Sequence, residues 1–166
     1  MTRPEKLGCQ GGSNGGLLMG NMLARSPELF GAIVCQVPLL DMKRYNKLLA
    51  GASWMGEYGN PDVPEEWAYL QKYSPYHTLR AGARAPPTLF TTSTRDDRVH
   101  PGHARKMVRK LLDMGKQSGT FYYENIEGGH GGAADNKQRA FMSTLAWTFL
   151  EQALAKGRVG AEGLME

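Results

Sequence analysis

The feature that most constrains the fold is a serine set among glycines, "CQGGSNGGLLMG", residues 9–20. Gly11, Ser13 and Gly15 stand in G-x-S-x-G spacing, with a short apolar lead-in before them and helically spaced Leu17, Leu18, Met22 and Leu23 after them. A strand that turns sharply into a helix lifts a serine hydroxyl above the end of a sheet, and side chains at the flanking positions would crowd such a turn. A plain glycine turn accounts for five residues equally well, so the rest of the chain has to decide between the two.

The pattern along the chain is that of an α/β protein. "KLGCQ" (6–10) reads as a strand, and the helix after the turn is expected to stop near Arg25, since Pro27 disfavours helix at Ser26. "GAIVCQVP" (31–38) is a continuous apolar run, as in strands covered on both faces. Residues 41–79 are aromatic and read as short helices and loops. "PPTLFTTST" (86–94) reads as a strand, 103–115 as an amphipathic helix closed by Gly115, 119–126 as a strand and 136–154 as a final helix. Strands alternating with helices predict a mostly parallel sheet flanked by helices. With 166 residues, one domain over 1–154 with a flexible tail at 155–166 is expected.

Several function classes are disfavoured. The net charge of +4 is scattered, and its one dense group, "RKMVRK" (105–110), has the spacing of a solvated helix face rather than a nucleic-acid patch. Cys9 and Cys35 form no CxxC pair and read as buried thiols, so neither a metal nor a cofactor is expected. No apolar run approaches membrane-spanning length and "MTRPEKLG" has no signal core. A cytoplasmic protein without a membrane or nucleic-acid partner is the expectation.

If Ser13 is a nucleophile it needs a base, and the base needs an orienting carboxylate. Of four histidines, His130 lies in "IEGGHGG", a glycine loop after a strand, where α/β folds carry functional groups. His77 reads equally as a packing residue, His100 merely follows Val99, and His103 reads as a helix cap. Asp96 and Asp97 in "TTSTRDDRVHPGH" are the acid candidates, although a capped loop explains them too. The order Ser13, Asp, His130, each member after its own strand, is that of α/β-hydrolases. The N–H of Asn14, at the helix start, would face a developing oxyanion.

These segments resemble the prolyl oligopeptidase family of serine peptidases over about residues 3–154. "GGSNGGLL" is similar to its nucleophile segment, "PELFGAIVCQVPLLDMKRY" to the strand and loop that follow, "DDRVHPGHARK" to its aspartate loop and "EGGHGG" to its histidine loop. The resemblance implies the C-terminal half of an α/β-hydrolase fold, with Ser13 as nucleophile, Asp96 rather than Asp97 as the catalytic acid, and His130 as base. It implies an oxyanion donor at Asn14 and a substrate-carbonyl ligand at Arg98. "SWMGEYG" (53–59) looks like the segment whose tryptophan and tyrosine hold the substrate's proline, which puts Trp54 and Tyr58 in that pocket. An indole face suits a rigid apolar ring, though ordinary aromatic core explains both residues as well. The oligopeptidase B branch places acidic residues near Glu57 to accept arginine or lysine.

The implied activity is hydrolysis of short peptides, chiefly after proline, through an acyl-enzyme. The alternatives are an impaired fragment or interaction remnant, and an esterase or oligopeptidase B-like enzyme. Family members also carry a β-propeller, the first half of the sheet and a tyrosine that supplies a second oxyanion donor, none with a counterpart in this sequence. Such a donor is worth about 3–4 kcal/mol, or roughly 10²–10³ in rate. The first strand is then expected to be a central strand turned into an edge. The chain is expected to be a weakly stable monomer, to pair with itself through that edge, or to pair with a separate N-terminal half.

Overall fold

The computed structural model describes residues 2–82 and 84–156. Four parallel strands form one sheet in the order β1-β2-β3-β4: β1 Gly8–Gly12, β2 Ala32–Gln36, β3 Thr88–Ser93 and β4 Thr120–Asn125. Long helices lie between them or after them: α1 Asn14–Arg25, α5 Gly102–Asp113 and α6 Asn136–Glu151. Three short helices, α2 Met55–Tyr58, α3 Pro64–Leu70 and α4 Pro75–Thr78, fill the aromatic segment between β2 and β3. The tail expected from 155 onward lies, from residue 157, outside the described residues.

The continuous apolar run forms an inner strand covered on both faces. Ala32, Ile33, Val34 and Cys35 are all buried, and period-2 alternation sends them to two different cores. Ile33 and Cys35 meet Met19 and Leu23 of α1, Phe90 of β3 and Met107 and Leu111 of α5. Ala32 and Val34 meet Leu89 of β3 and Ala146, Phe149 and Leu150 of α6. Helices α1 and α5 therefore cover one face and α6 the other. A third cluster, around Leu17, Met42, Tyr45, Leu70 and Val99, ties the aromatic segment to α1.

The stop signals act as read. α1 ends at Arg25, ahead of Pro27. α5 ends in a left-handed Gly115 at φ 75°, with Gly115 N–H donating to Leu112 O at 2.9 Å and Lys116 N–H to Leu111 O at 3.0 Å. Those two bonds satisfy carbonyls that the last turn leaves free.

Two expectations need correction, and a third holds in part. β1 lies two residues later than 6–10: Lys6 ends a 3-10 turn that precedes the strand, and Gly11 and Gly12 close the strand rather than open a turn. His103 does not cap α5. It is buried, and its Nδ1 accepts the N–H groups of Leu40 and Asp41 at 3.2 and 3.0 Å. The basic face at 105–110 is solvated at Arg105 and Arg109, which pair with Glu124 and Asp113, whereas Lys106 is drawn to buried Asp41 and Lys110 donates to the carbonyls of Tyr76 and Leu79.

Candidate active site

Because the strands are parallel, their C-terminal ends share one edge, and three loops meet there. Ser13 directly follows β1, Asp96 follows β3 and His130 follows β4. Ser13 sits at the N-cap of α1 with φ 58° and ψ −117°, a conformation few non-glycine residues adopt. A serine at an N-cap ordinarily accepts a backbone N–H with its hydroxyl. Here that cap bond is absent, and Ser13 Oγ lies 3.1 Å from His130 Nε2.

One flanking glycine does what the pattern requires and the other does not. A Cβ on Gly11 would fall 2.5 Å from Gly15 O, whereas one on Gly15 would meet nothing within 4 Å. The second tight contact belongs to Gly16, whose Cβ would come within 2.7 Å of Pro38. The glycine after the serine thus serves the approach of α1 to the chain beyond β2, one residue later than the spacing suggests.

On its other side, His130 Nδ1 lies 2.9 and 3.1 Å from the two carboxylate oxygens of Asp96. The side chain of Asp96 is fully buried and that of His130 is 16% exposed. Asp96 Oδ1 also accepts Arg98 N–H and Val99 N–H, each at 2.9 Å, which fixes the carboxylate independently of the histidine. A carboxylate can only accept, so Nδ1 carries the proton. In the neutral ring Nε2 then has a free lone pair facing the Ser13 hydroxyl. Asp97 is exposed, apart from this chain of bonds.

The other predicted site residues group less tightly. Asn14 begins α1, so its N–H has no partner one turn back. Its side-chain Oδ1 accepts the Tyr58 hydroxyl at 2.8 Å, which joins the proposed pocket wall to the residue after the serine. Burial pushes the Tyr58 phenol up to about 12, so it remains a donor at neutral pH. Tyr58 stands edge-on to Tyr45 at 5.6 Å, and Trp54 packs half-buried against the cluster that contains Val99. Arg98 is exposed. Its guanidinium makes no hydrogen bond or salt bridge among the described residues, while its carbonyl accepts Ala50 N–H at 3.3 Å.

Val99 and Tyr45 also pack beside the candidate pocket, a role the sequence reading did not assign to them. Val99 follows the aspartate loop directly, so its place beside the pocket segment was implicit in "DDRVH". Tyr45 carried no signal beyond aromatic content. Among the described residues no group of three or more histidine, cysteine, aspartate or glutamate side chains is disposed to hold a metal, and no helix is long and apolar enough to cross a membrane.

A parallel sheet with a strained serine between strand and helix, and acid and histidine loops at the same edge, is the C-terminal part of an α/β-hydrolase fold. Within that class the family is specific: the profile of the prolyl oligopeptidase family matches residues 1–157, and the chain belongs to that family. It is 50% identical over 154 residues to an uncharacterized peptidase of Sinorhizobium fredii, covering 93% of this chain and 21% of that protein. The structure of a post-proline cleaving enzyme from Rickettsia typhi is similar at TM-score 0.87 and 41% identity, over 93% of this chain and 22% of the other. Oligopeptidase B from Leishmania major also matches at TM-score 0.87, with 28% identity over 95% and 22% of the two chains. The chain thus spans about a fifth of the length of these relatives.

Proposed function

We propose that the chain is a serine peptidase acting on short peptides after proline. The observation that carries this reading is the continuous chain of hydrogen-bond distances from Ser13 Oγ through His130 to Asp96. Ser13 Oγ attacks the carbonyl carbon of the scissile bond as its proton passes to His130 Nε2. Asp96 holds the Nδ1 proton and stabilises the imidazolium that forms. The oxyanion of the tetrahedral intermediate faces Asn14 N–H at the positive end of α1. When the C–N bond breaks, His130 returns the proton to the leaving amine, and Ser13 is left as an ester. Water then attacks that ester with His130 again as base. A second proton return frees the acid and restores the serine.

For specificity, Trp54 and Tyr58 offer aromatic faces to a proline ring, and the exposed Arg98 guanidinium is the donor assigned to a substrate carbonyl. Membership of the family and the likeness to a post-proline cleaving enzyme support that assignment. A second reading has its own support. Glu57 is exposed and forms no salt bridge among the described residues, and oligopeptidase B is among the similar structures. Fluorogenic Gly-Pro and Gly-Arg substrates and a short-chain ester, each with Ser13→Ala as control, separate the cases. Gly-Pro is expected to be cleaved with the highest kcat/KM. A preference for Gly-Arg would move the assignment to Glu57, and a preference for the ester would overturn the peptidase assignment.

A further inference from the structure

His130 stands in "EGGHGG" (127–132), a segment of high backbone freedom, yet its ring has to reach Ser13 and Asp96 together. Catalytic geometry tolerates displacement of only about 0.5 Å. Asp96 fixes one edge of the ring, but the backbone beneath it needs its own restraint. We propose that Asn125, Gln138 and Glu127 form a clamp that positions His130 by closing both ends of its loop. This rests on the reading of His130 as the base.

The clamp begins where β4 ends. Asn125 is only 5% exposed, and its Oδ1 accepts Glu127 N–H at 2.8 Å and Gly128 N–H at 2.6 Å as the loop departs. Where the loop returns, Ala134 N–H donates to Gln138 Oε1 at 2.8 Å. The two ends are then tied together: Asn125 Nδ2 donates to the same Gln138 oxygen at 3.0 Å, and Gln138 Nε2 donates to Glu127 Oε2. Asp135 Oδ1 accepts Gln138 N–H at 2.8 Å and so anchors the clamp in the first turn of α6.

This closure requires the two sides of the loop to touch. A Cβ on Gly128 would lie 2.6 Å from Ala133 N, so this glycine is a packing requirement. Both carboxamide oxygens accept two protons and both amide nitrogens donate at least one, so the network itself fixes which way each amide points. Neither Asn125 nor Gln138 hydrogen-bonds to Ser13 or Asp96. Any influence on the chemistry passes through the position of His130, which makes these positioning residues. The sequence carried half the signal: Asp135 and Gln138 have the D-x-x-Q spacing of a capping box. The glutamine departs from that motif by accepting the N–H of Ala134, one residue before the cap.

The test uses the whole chain and two readouts: the second-order rate of labelling by a fluorophosphonate, and the downfield NMR signal of the His130 Nδ1 proton shared with Asp96. Gln138→Ala removes the tie at a half-buried site on the first turn of α6. The labelling rate is expected to fall about 10–100-fold, as for an angstrom-scale misplacement, and the Nδ1 signal to broaden or vanish. Gln138→Glu sets two carboxylates against each other and is expected to be impaired as well. The exchange pair Glu127→Gln with Gln138→Glu keeps all three clamp bonds and is expected to recover both readouts. Unchanged rate and signal in Gln138→Ala would overturn the clamp, as would an exchange pair no better than Gln138→Glu alone. If the unsubstituted chain takes no label, the serine peptidase reading fails. The Nδ1 signal still decides the clamp in that case.

Discussion

At the scale of single residues, the sharpest question is what Asp96 does beyond accepting hydrogen bonds. Its Oδ1 holds two backbone N–H groups, so an asparagine there can keep its oxygen in place and turn its NH₂ towards His130. Nδ1 would then have to accept, and the ring's single proton would move to Nε2, opposite Ser13. The serine could no longer hand over its proton. Asp96→Asn is therefore expected to lower the fluorophosphonate labelling rate by about 10³–10⁴ with the fold intact, near the loss of roughly 10⁴ that the same change causes in a Ser-His-Asp protease. An unchanged rate at an unchanged melting temperature would remove Asp96 from the mechanism. That Ser13, Asp96 and His130 meet was legible because each lies just past the end of its own strand. Gly15 misled, because the close approach that needs a glycine falls at Gly16, on the far side of a contact with Pro38.

Among the elements, the start of α5 carries a liability towards acid. Burial pushes His103 from its ordinary 6.5 down to about 4, and its Nδ1 is already occupied as acceptor of two backbone N–H groups. Beside it, burial pushes the Asp41 carboxyl up, but Lys106, His77 and Arg44 outweigh that and hold it below its ordinary range. Both folded-state values lie below the unfolded ones, so both contributions are whole at neutral pH and are lost as pH falls. For His103 the loss begins near 6.5 and continues to about 4, and amounts to about 2–3 kcal/mol. Urea unfolding at pH 7 and pH 4.5 should show it, with a smaller difference in His103→Gln; equal differences in the two proteins would contradict it. The elements themselves were readable in proportion to their locality. β2 announced itself as an unbroken apolar run because both its faces are covered. α5 announced its end through Gly115. The burial of His103 was not readable, because its partners, Leu40 and Asp41, lie more than sixty residues away in the chain.

For the whole molecule, we propose that the sheet edge at β1 governs self-association. Among the described residues β1 pairs only with β2. Leu7 O and Ser13 N–H both point to the β2 side, so by period 2 the backbone groups of Gly8, Gln10 and Gly12 face away from it. Such a row of free donors and acceptors invites another strand. Sedimentation at rising concentration is expected to show self-association, which Gln10→Pro, lacking the outward N–H, should weaken. A monodisperse monomer with a high melting temperature would contradict this. At the C-terminal ends of the strands, Ser13 is proposed to be a working nucleophile. The direct measurement is fluorophosphonate labelling of the 166-residue chain, with the modified residue located by peptide mass. A single adduct on Ser13, lost in Ser13→Ala, is the expected result; folded protein that takes no label, or takes it elsewhere, would contradict the claim.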